Sequence, residues 1–261
     1  MQGKILIIAG SDSGGGAGIQ GDVKTVTALG GYAATAITAL TAQNTRGVFG
    51  IMEVPDEFIS RQIELVLSDI GADVIKTGML HRVGVIKAVL ESLAKFDKKI
   101  PLIVDPVMVA KGGAALLDAE AVEYMKNHLF PRAFLVTPNI PEAEILSGMK
   151  ISGVDDMVKA GRKIMEYGSA AILVKGGHLD SAKVHNVLID GAGVKIYNSR
   201  RYHTRNTHGT GCAFASAIAT FLAQKIPLRR AVKKALNYID MAIRTAPDIG
   251  RGNGPLNHSG R

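Results

Sequence analysis

The residues best suited to chemistry lie in one short segment, 206–212, which reads Asn-Thr-His-Gly-Thr-Gly-Cys and leads into a predicted helix of small residues. Gly209 and Gly211 leave backbone N–H groups unshielded where that helix begins. The helix dipole adds roughly half a positive charge at the same place. The segment therefore predicts an anion site for a phosphate group, which in chemical terms is an oxyanion hole.

Cys212 lies in the first turn of this predicted helix and is the only cysteine of the chain. The positive end of a helix favours a thiolate, so we expect the pKa of Cys212 to fall well below the ordinary value of about 8.5. A small buried cysteine that packs against the sheet is the alternative, and the residues alone leave both open. A single cysteine excludes an internal disulfide framework and fits a reducing compartment, so we expect a cytoplasmic protein.

Four other polar residues follow predicted strands. Asn139 and Glu142 stand three apart at a helix entrance, which suits phosphate oxygens and magnesium waters, but an ordinary N-cap gives the same pattern. Lys175 precedes two glycines and can hold a phosphate as a point charge, unless it is a surface lysine beside a turn. Asp105 ends a buried strand, where a carboxylate needs a cation or hydrogen-bond donors.

A glycine run at 14–18 follows the first apolar run, and residues 16–21 match the pattern G-x-G-x-x-G. A dinucleotide-binding fold would also place an acid at the end of its second strand, but that strand is followed by residues 41–44, Thr-Ala-Gln-Asn. We therefore reject dinucleotide binding. The glycines still allow the backbone to approach a ligand closely or to flex over it. No Gly-Lys-Ser/Thr follows, which excludes a P-loop kinase.

The elements that position these residues form an alternating pattern. Short apolar runs end in polar residues or glycine at 5–9, 36–40, 74–75, 102–104, 134–136 and 172–174. Segments with helical spacing lie between most of them, at 56–70, 83–93, 118–128 and 155–167. This alternation predicts an α/β fold whose central, mostly parallel sheet has helices on both faces. Because parallel strands end at the same edge, we expect the active site there.

The C-terminal part departs from the alternation. Apolar runs at 187–189 and 194–197 flank Asp-Gly-Ala-Gly, which predicts a hairpin and a few antiparallel strands at that side. Two predicted helices close the chain, at 211–224 and 228–246. We find no linker, low-complexity tract or internal repeat in the sequence, so we expect residues 1–261 to form a single domain.

Composition limits the partners. The chain has 31 Lys plus Arg against 23 Asp plus Glu, a net charge of +8, with 47% hydrophobic residues, which excludes general disorder. The basic residues are scattered in pairs, and with no Trp to stack on bases we expect no nucleic-acid binding. The first apolar run is too short for a signal peptide, and the longest uncharged stretch, 206–224, is too polar for a membrane span.

With these features in place, the sequence resembles the hydroxymethylpyrimidine/phosphomethylpyrimidine kinase family of thiamin biosynthesis, within the ribokinase-like superfamily. The most specific segments are 15–22, 38–45, 78–80, 137–139 with 142–143, 174–178 and 206–212. The likeness covers nearly the whole chain. Two residues of the glycine loop depart from the family pattern: Ser13 stands where proline is usual, and Gly21 where alanine is usual.

The resemblance implies a ribokinase-like fold, use of ATP with Mg²⁺, and a homodimer. It implies two successive phosphorylations of 4-amino-5-hydroxymethyl-2-methylpyrimidine, first to the monophosphate and then to the diphosphate. Sugar-kinase relatives carry an aspartate base at the position of Cys212, so the resemblance favours Cys212 as the base that takes the hydroxyl proton.

In-line phosphoryl transfer needs positioning, charge neutralisation and a base, and these needs suggest the remaining roles. Gly209 and Gly211 should hold the transferring phosphate together with Lys175. The residues expected to contact the nucleotide are Asn139, Lys175, Thr207 and Thr210, and those expected to hold the metal are Asp105 and Glu142.

On the acceptor side, Gln43 carries an amide that can accept from an exocyclic amine and donate to a ring nitrogen, as an aminopyrimidine edge requires. By resemblance, Gly10, Asp22, Met79 and Val107 complete the substrate pocket.

Four alternatives remain open. A pyridoxal kinase is the nearest, alone or combined with the pyrimidine activity, because its substrate is also a heteroaromatic hydroxymethyl compound. A sugar or nucleoside kinase is disfavoured by Cys212. A thiol acyl transferase would pair Cys212 with His208 or His178, and a nucleotide-binding regulator would lack turnover. We expect His128, Ser147 and Asp180 to be ordinary surface groups, because they show no nucleophile-elbow spacing.

Overall fold

The computed structural model describes residues 1–96, 100–109, 116–179 and 182–259, and the account below concerns these residues. The strands are β1 (Lys4–Asp12), β2 (Tyr32–Asn44), β3 (Gly47–Glu53), β4 (Val74–Thr77), β5 (Leu102–Val104), β6 (Leu135–Val136), β7 (Ile172–Lys175), β8 (Lys183–Asp190) and β9 (Gly193–Arg200). They form one nine-stranded sheet in the order β3-β2-β1-β4-β5-β6-β7-β8-β9.

The six predicted central strands are all present and pair in parallel. The predicted hairpin is also confirmed, since β8 and β9 pair antiparallel with Asp190 opposite Gly193. A further antiparallel strand, β3, pairs with β2 at the other edge of the sheet and was not predicted. Its sequence carries Gly47 and Gly50, which interrupt the apolar pattern by which a strand is recognised.

The helices are α1 (Gly18–Ala28), α2 (Asp56–Asp69), α3 (Val83–Ala94), α4 (Ala119–Tyr124), α5 (Ile140–Ser147), α6 (Val154–Met165), α7 (Thr210–Ala223) and α8 (Leu228–Arg244). The predicted helices are present with ends shifted by a few residues. The helix predicted over 118–128 begins as α4 and continues into a π-helical turn, Met125–Leu129.

Strand β1 shows how the sheet is covered on both faces. Leu6 and Ile8 pack into a core with residues of α2, α3, α5 and α6. Ile5 and Ile7 point to the opposite face and pack with residues of α7 and α8. Successive side chains of a strand alternate between faces, so an entirely apolar strand requires a helical layer on each side. The predicted fold class is confirmed.

Among the described helices, none combines the length and the apolar composition needed to cross a membrane. Ser147, expected at the surface, is instead buried, and its Oγ donates to Ala143 O at 2.6 Å. It sits in the last turn of α5, facing the core. His128 is exposed as expected, and Asp180 lies outside the described residues.

Candidate active site

The carboxyl ends of the parallel strands meet at one edge, and there Lys175 of β7 reaches Asp105 just after β5. Lys175 Nζ lies 2.6 Å from Asp105 Oδ1, and Thr137 Oγ1 donates to the same oxygen at 2.9 Å. Burial alone would raise the pKa of Asp105, but the ammonium groups of Lys175 and Lys76 outweigh it and hold that pKa below its usual range. The pair is therefore ionised, and it places a buried positive charge at the edge.

This charge lies against the start of α7. A Cβ built on Gly211 would be 3.2 Å from Lys175 Nζ, so glycine leaves the ammonium access to the first helical turn. Gly209 has φ of +81°, and a Cβ on it would lie 1.9 Å from Gly16 O, so only glycine fits there. Gly209 and Gly211 are thus needed for the shape of this loop.

No side-chain hydrogen bond caps α7 within the described part of the chain. Thr210 Oγ1 bonds back to Thr207 O at 2.8 Å instead. The N–H groups of a first helical turn have no intrahelical acceptor, so those of Gly211 and Cys212 remain for an anion. The helix start and the Lys175 ammonium thus lie close together, as the anion site expected from the sequence would require.

Cys212 occupies the first turn of α7 and is half-buried, and Gly18 N–H hydrogen-bonds to its sulfur. Burial raises the pKa of Cys212 to about 12, while Lys76 lowers it and the carboxylates of Asp22 and Asp105 raise it further. The pKa is thus raised where we expected it lowered, because burial and two nearby negative charges outweigh Lys76 and the Gly18 hydrogen bond. At neutral pH this group is a thiol.

Asn139 and Glu142 form a reciprocal cap at the start of α5. Asn139 Oδ1 accepts from Glu142 N at 3.0 Å, and Glu142 Oε2 accepts from Asn139 N at 2.8 Å. Burial raises the pKa of Glu142 to about 7, against the opposing effect of Lys175. Lys175 N also donates to Pro138 O at 2.8 Å, which places the cap beside the anion site. Asn139 and Glu142 thus form an ordinary N-cap, and this cap lies where we expected the nucleotide contacts.

The two expected metal ligands, Asp105 and Glu142, both lie near Lys175. In the described ranges no three His, Cys, Asp or Glu side chains come close enough to hold a metal ion by themselves. Mg²⁺ typically uses one or two carboxylates together with substrate phosphates and keeps several waters. The residues present therefore fit a nucleotide-bound Mg²⁺ and do not form an all-protein cage.

Three of the expected substrate residues come together in a small apolar cluster at the same edge. Met79 packs with buried Ala39 and Leu116, and Val107 lies against them. A Cβ on Gly10 would be 2.5 Å from Met79 Cε, so glycine makes room for the methionine. The cluster offers an apolar surface of the kind a flat heteroaromatic ring can pack on.

Asp22 does not belong to this surface. Its carboxylate lies 2.8 Å from Lys76 Nζ, both side chains are 0% exposed, and Ser216 Oγ donates to its other oxygen at 2.7 Å. The Asp22 side chain thus has no exposed surface, and its role as a substrate contact stays a prediction. Asp22 neutralises a lysine in the interior, between α1, β4 and α7.

Asp12, which the sequence analysis did not single out, organises the glycine loop. Its Oδ1 accepts from Gly14 N at 2.8 Å, and its Oδ2 accepts from Gly16 N at 3.1 Å and Ala17 N at 2.8 Å. His208 Nε2 lies 2.8 Å from the same Oδ2. An acid two residues before a glycine run was the available signal. These contacts close the loop onto the 206–212 segment.

The two departures from the family pattern are accommodated in this loop. Ser13 Oγ donates to Gln43 O at 2.8 Å and accepts from Gln43 N at 2.8 Å. These two bonds fasten the loop to the end of β2 where a proline ring would stiffen it. A Cβ on Gly21 would lie 2.9 Å from Gly16 O, so glycine there lets the loop approach α1 closely.

The family model for phosphomethylpyrimidine kinase matches residues 12–257. The chain is 54% identical over 257 residues to the Geobacter sulfurreducens protein named thiamine biosynthesis bifunctional protein ThiED, covering 98% of this chain and 52% of that protein. It is 46% identical over 256 residues to the hydroxymethylpyrimidine/phosphomethylpyrimidine kinase of Rhizobium meliloti, covering 97% and 96%. The chain thus spans about half the length of bifunctional relatives such as the first.

Among solved structures, the pyridoxal kinase of Staphylococcus aureus in complex with AMP-PCP and pyridoxal superposes with a TM-score of 0.90 at 33% sequence identity. The match covers 100% of this chain and 95% of the other. The fold is therefore shared with a kinase whose solved complex contains AMP-PCP and pyridoxal.

Proposed function

The chain belongs to the phosphomethylpyrimidine kinase family, and on that premise we propose that it phosphorylates 4-amino-5-hydroxymethyl-2-methylpyrimidine and then its monophosphate, with ATP, in thiamin biosynthesis. One observation carries the proposal: the buried Lys175 ammonium faces the glycine-rich, uncapped start of α7, with the Cys212 thiol in the same turn. The names of the relatives supply the substrate class, which the geometry alone would not give.

The phosphate side follows from the charges at the sheet edge. Lys175 and the first-turn N–H groups of α7 neutralise and orient the transferring phosphate, which is most of what phosphoryl transfer asks of a protein. Asn139 lies beside them at the start of α5 and is proposed to contact the nucleotide together with Thr207 and Thr210. The AMP-PCP complex of the Staphylococcus relative supports ATP as the donor.

Mg²⁺ is proposed to bind with the nucleotide, and Glu142 and Asp105 are the residues that would hold it or its waters. When bound, it supplies positive charge against the phosphate oxygens. Glu142 has a pKa raised to about 7, so binding of a cation nearby would favour its ionised form.

The proposed acceptor site combines an apolar surface with one hydrogen-bonding side chain. Met79 and Val107 would pack against the pyrimidine ring, and Gln43 would bond its amino edge. Cys212 lies in the first turn of α7 beside the anion site and accepts the Gly18 N–H, and we propose that its thiolate form, the minor form at neutral pH, is the base for the hydroxyl proton.

A pyridoxal kinase activity is the second candidate. It is favoured by the likeness to the Staphylococcus aureus pyridoxal kinase over the full chain. The two substrates would present different edges to Gln43. The preferred acceptor therefore distinguishes a pyridoxal kinase from a hydroxymethylpyrimidine kinase.

We also propose that the protein is a cytoplasmic homodimer, as the family resemblance suggests. The apolar side chains exposed at the β3 edge of the sheet, Phe49 at 72%, Met52 at 68% and Leu40 at 43%, support a second copy at that edge.

Removing divalent metal is expected to abolish ADP release in the presence of ATP and the hydroxymethylpyrimidine, because two phosphate groups and an anionic transition state need cation screening. A coupled ADP assay with and without EDTA measures this, and hydroxymethylpyrimidine, pyridoxal, ribose and no acceptor are compared in parallel. Added Mg²⁺ restores the rate. Acyl-ester turnover that survives EDTA and consumes no ATP would overturn the kinase assignment.

Replacing Gln43 with leucine is expected to weaken use of the aminopyrimidine while leaving ATP affinity nearly unchanged. Loss of a partner from a buried polar edge costs about 1–3 kcal/mol, which corresponds to a roughly 5- to 150-fold rise in the KM of the acceptor. Steady-state kinetics with each substrate varied in turn measure both constants. An equal rise in the KM for ATP and in the KM for the acceptor would show that Gln43 supports the loop and does not bind the substrate.

A further inference from the structure

The side-chain amide of Gln43 lies between two hydrogen-bonding neighbours. As placed, Oε1 is 3.2 Å from Thr41 Oγ1, and Nε2 is 3.4 Å from His208 Nε2. The two ends of a carboxamide have nearly the same shape, so the partners decide which end is oxygen and which is nitrogen. It matters which end of the amide faces which neighbour, because the oxygen accepts hydrogen bonds and the NH₂ group donates them.

On the Thr41 side the choice follows from the single proton of a hydroxyl group. Thr41 Oγ1 donates that proton to Ser11 O at 2.8 Å, a shorter contact than the one to Gln43. Toward Gln43 the hydroxyl therefore offers lone pairs only. The end of Gln43 that faces Thr41 must then be the NH₂ group.

On the His208 side the choice follows from a carboxylate. His208 Nε2 lies 2.8 Å from Asp12 Oδ2, which also accepts from the backbone N–H groups of Gly16 and Ala17. Burial opposes ionisation, but the bond from His208 and those from the loop hold the pKa of Asp12 below its usual range. An ionised carboxylate only accepts, so the proton on His208 Nε2 is directed to Asp12 and this nitrogen has no lone pair for Gln43. An NH₂ group facing it would find no acceptor, so the end of Gln43 facing His208 must be the oxygen.

We infer that Thr41 and the Asp12–His208 pair are positioning residues that fix the Gln43 amide with nitrogen toward Thr41 and oxygen toward His208. The consequence for substrate choice rests on the proposed function. With one oxygen lone pair and one N–H left, the fixed amide accepts from an exocyclic amine and donates to a ring nitrogen.

A 4-oxo analogue of the pyrimidine presents the reverse order, a carbonyl oxygen and a ring N–H. Turning the ring over does not restore the match, because the hydroxymethyl group must still face Cys212. The fixed amide therefore rejects the 4-oxo edge, whereas an amide free to rotate would accept either edge. Thr41 and His208 act through Gln43, without touching the reacting atoms.

The orientation itself is measurable by NMR on the ligand-free protein. The Gln43 side-chain NH₂ signals are identified by their loss in Gln43→Leu. We expect nuclear Overhauser effects from these protons to the Thr41 side chain and none to the His208 ring protons. Effects to the His208 ring without effects to Thr41 would overturn the inference, whatever the protein phosphorylates.

The effect on selectivity is measured with Thr41→Val, which removes the hydroxyl at similar size, and Thr41→Ser as the matched control that keeps it. We expect the ratio of kcat/KM for the aminopyrimidine to that for the 4-oxo analogue to fall about fivefold to tenfold in Thr41→Val and to be retained in Thr41→Ser. An unchanged ratio in Thr41→Val would overturn the inference. Wild-type protein that uses neither acceptor would overturn the proposed function, while the NMR result still decides the amide orientation.

Discussion

Replacing Cys212 with alanine is expected to slow phosphorylation of the hydroxymethylpyrimidine by about a hundredfold to ten-thousandfold, the range typical of a positioned general base. Phosphorylation of the monophosphate should fall much less. The first acceptor is an alcohol that keeps its proton at neutral pH, whereas a phosphate monoester with a second pKa of about 6 is already largely ionised. Alanine keeps the start of α7 and its N–H donors, so the anion site is retained.

The pH dependence of the first step provides a second readout. Because burial raises the pKa of Cys212 to about 12, the thiolate fraction rises about tenfold for each pH unit between 7 and 9. The wild-type rate should rise over this range, and the Cys212→Ala rate should not follow that slope.

Separate initial rates with the hydroxymethylpyrimidine and with its monophosphate, across pH 7 to 9, measure both effects. If both steps fall by the same factor in Cys212→Ala, the thiol contributes to the shape of the anion site. If neither falls, Cys212 is a packing residue of the α7 start.

Replacing Asp22 with asparagine is expected to destabilise the protein by about 3–5 kcal/mol, because the Lys76 ammonium would stay buried without its carboxylate. Both side chains of this pair are 0% exposed. The free energy of unfolding in urea measures the loss. The KM for the pyrimidine in the folded fraction should change little, since Asp22 has no exposed surface.

Lys95→Met is the matched control, because it breaks an ion pair to Glu64 of similar length, 2.6 Å, in which the lysine is largely exposed. Surface pairs contribute about 0–1 kcal/mol. Adding Lys76→Met to Asp22→Asn removes the unpaired charge and should recover part of the loss. A stable Asp22→Asn protein with a greatly raised KM for the pyrimidine would return Asp22 to the substrate pocket.

The fold was largely predictable because its signals are local. The six parallel strands are continuous apolar runs, and alternation with helical segments requires a sheet covered on both faces. Residue 209 has a positive φ, which glycine adopts most readily. A glycine just before a predicted helix start was therefore a local signal for the proposed anion site. Strand β3 was missed because Gly47 and Gly50 remove the local signal, and only its pairing with β2 makes it a strand.

The electrostatics of the site depended on residues brought together from distant parts of the chain. The partners of three ion pairs near the site are separated by 54 positions for Asp22 and Lys76, 70 for Asp105 and Lys175, and 196 for Asp12 and His208. No periodicity or motif encodes such pairings. They pair Asp22 with a buried lysine, a contact that the sequence did not indicate.

The sequence by itself determined where the chemistry lies: a polar sheet edge, a glycine-rich helix start, and a cysteine in its first turn. Only the tertiary structure decided the charge state of that cysteine and supplied the neighbours from which we infer the orientation of the Gln43 amide. A pKa depends on burial and on every charge nearby. The orientation of an amide depends on which protons the neighbouring groups already donate to other acceptors. Both quantities are set by contacts across the fold, which residue types and their spacing do not contain.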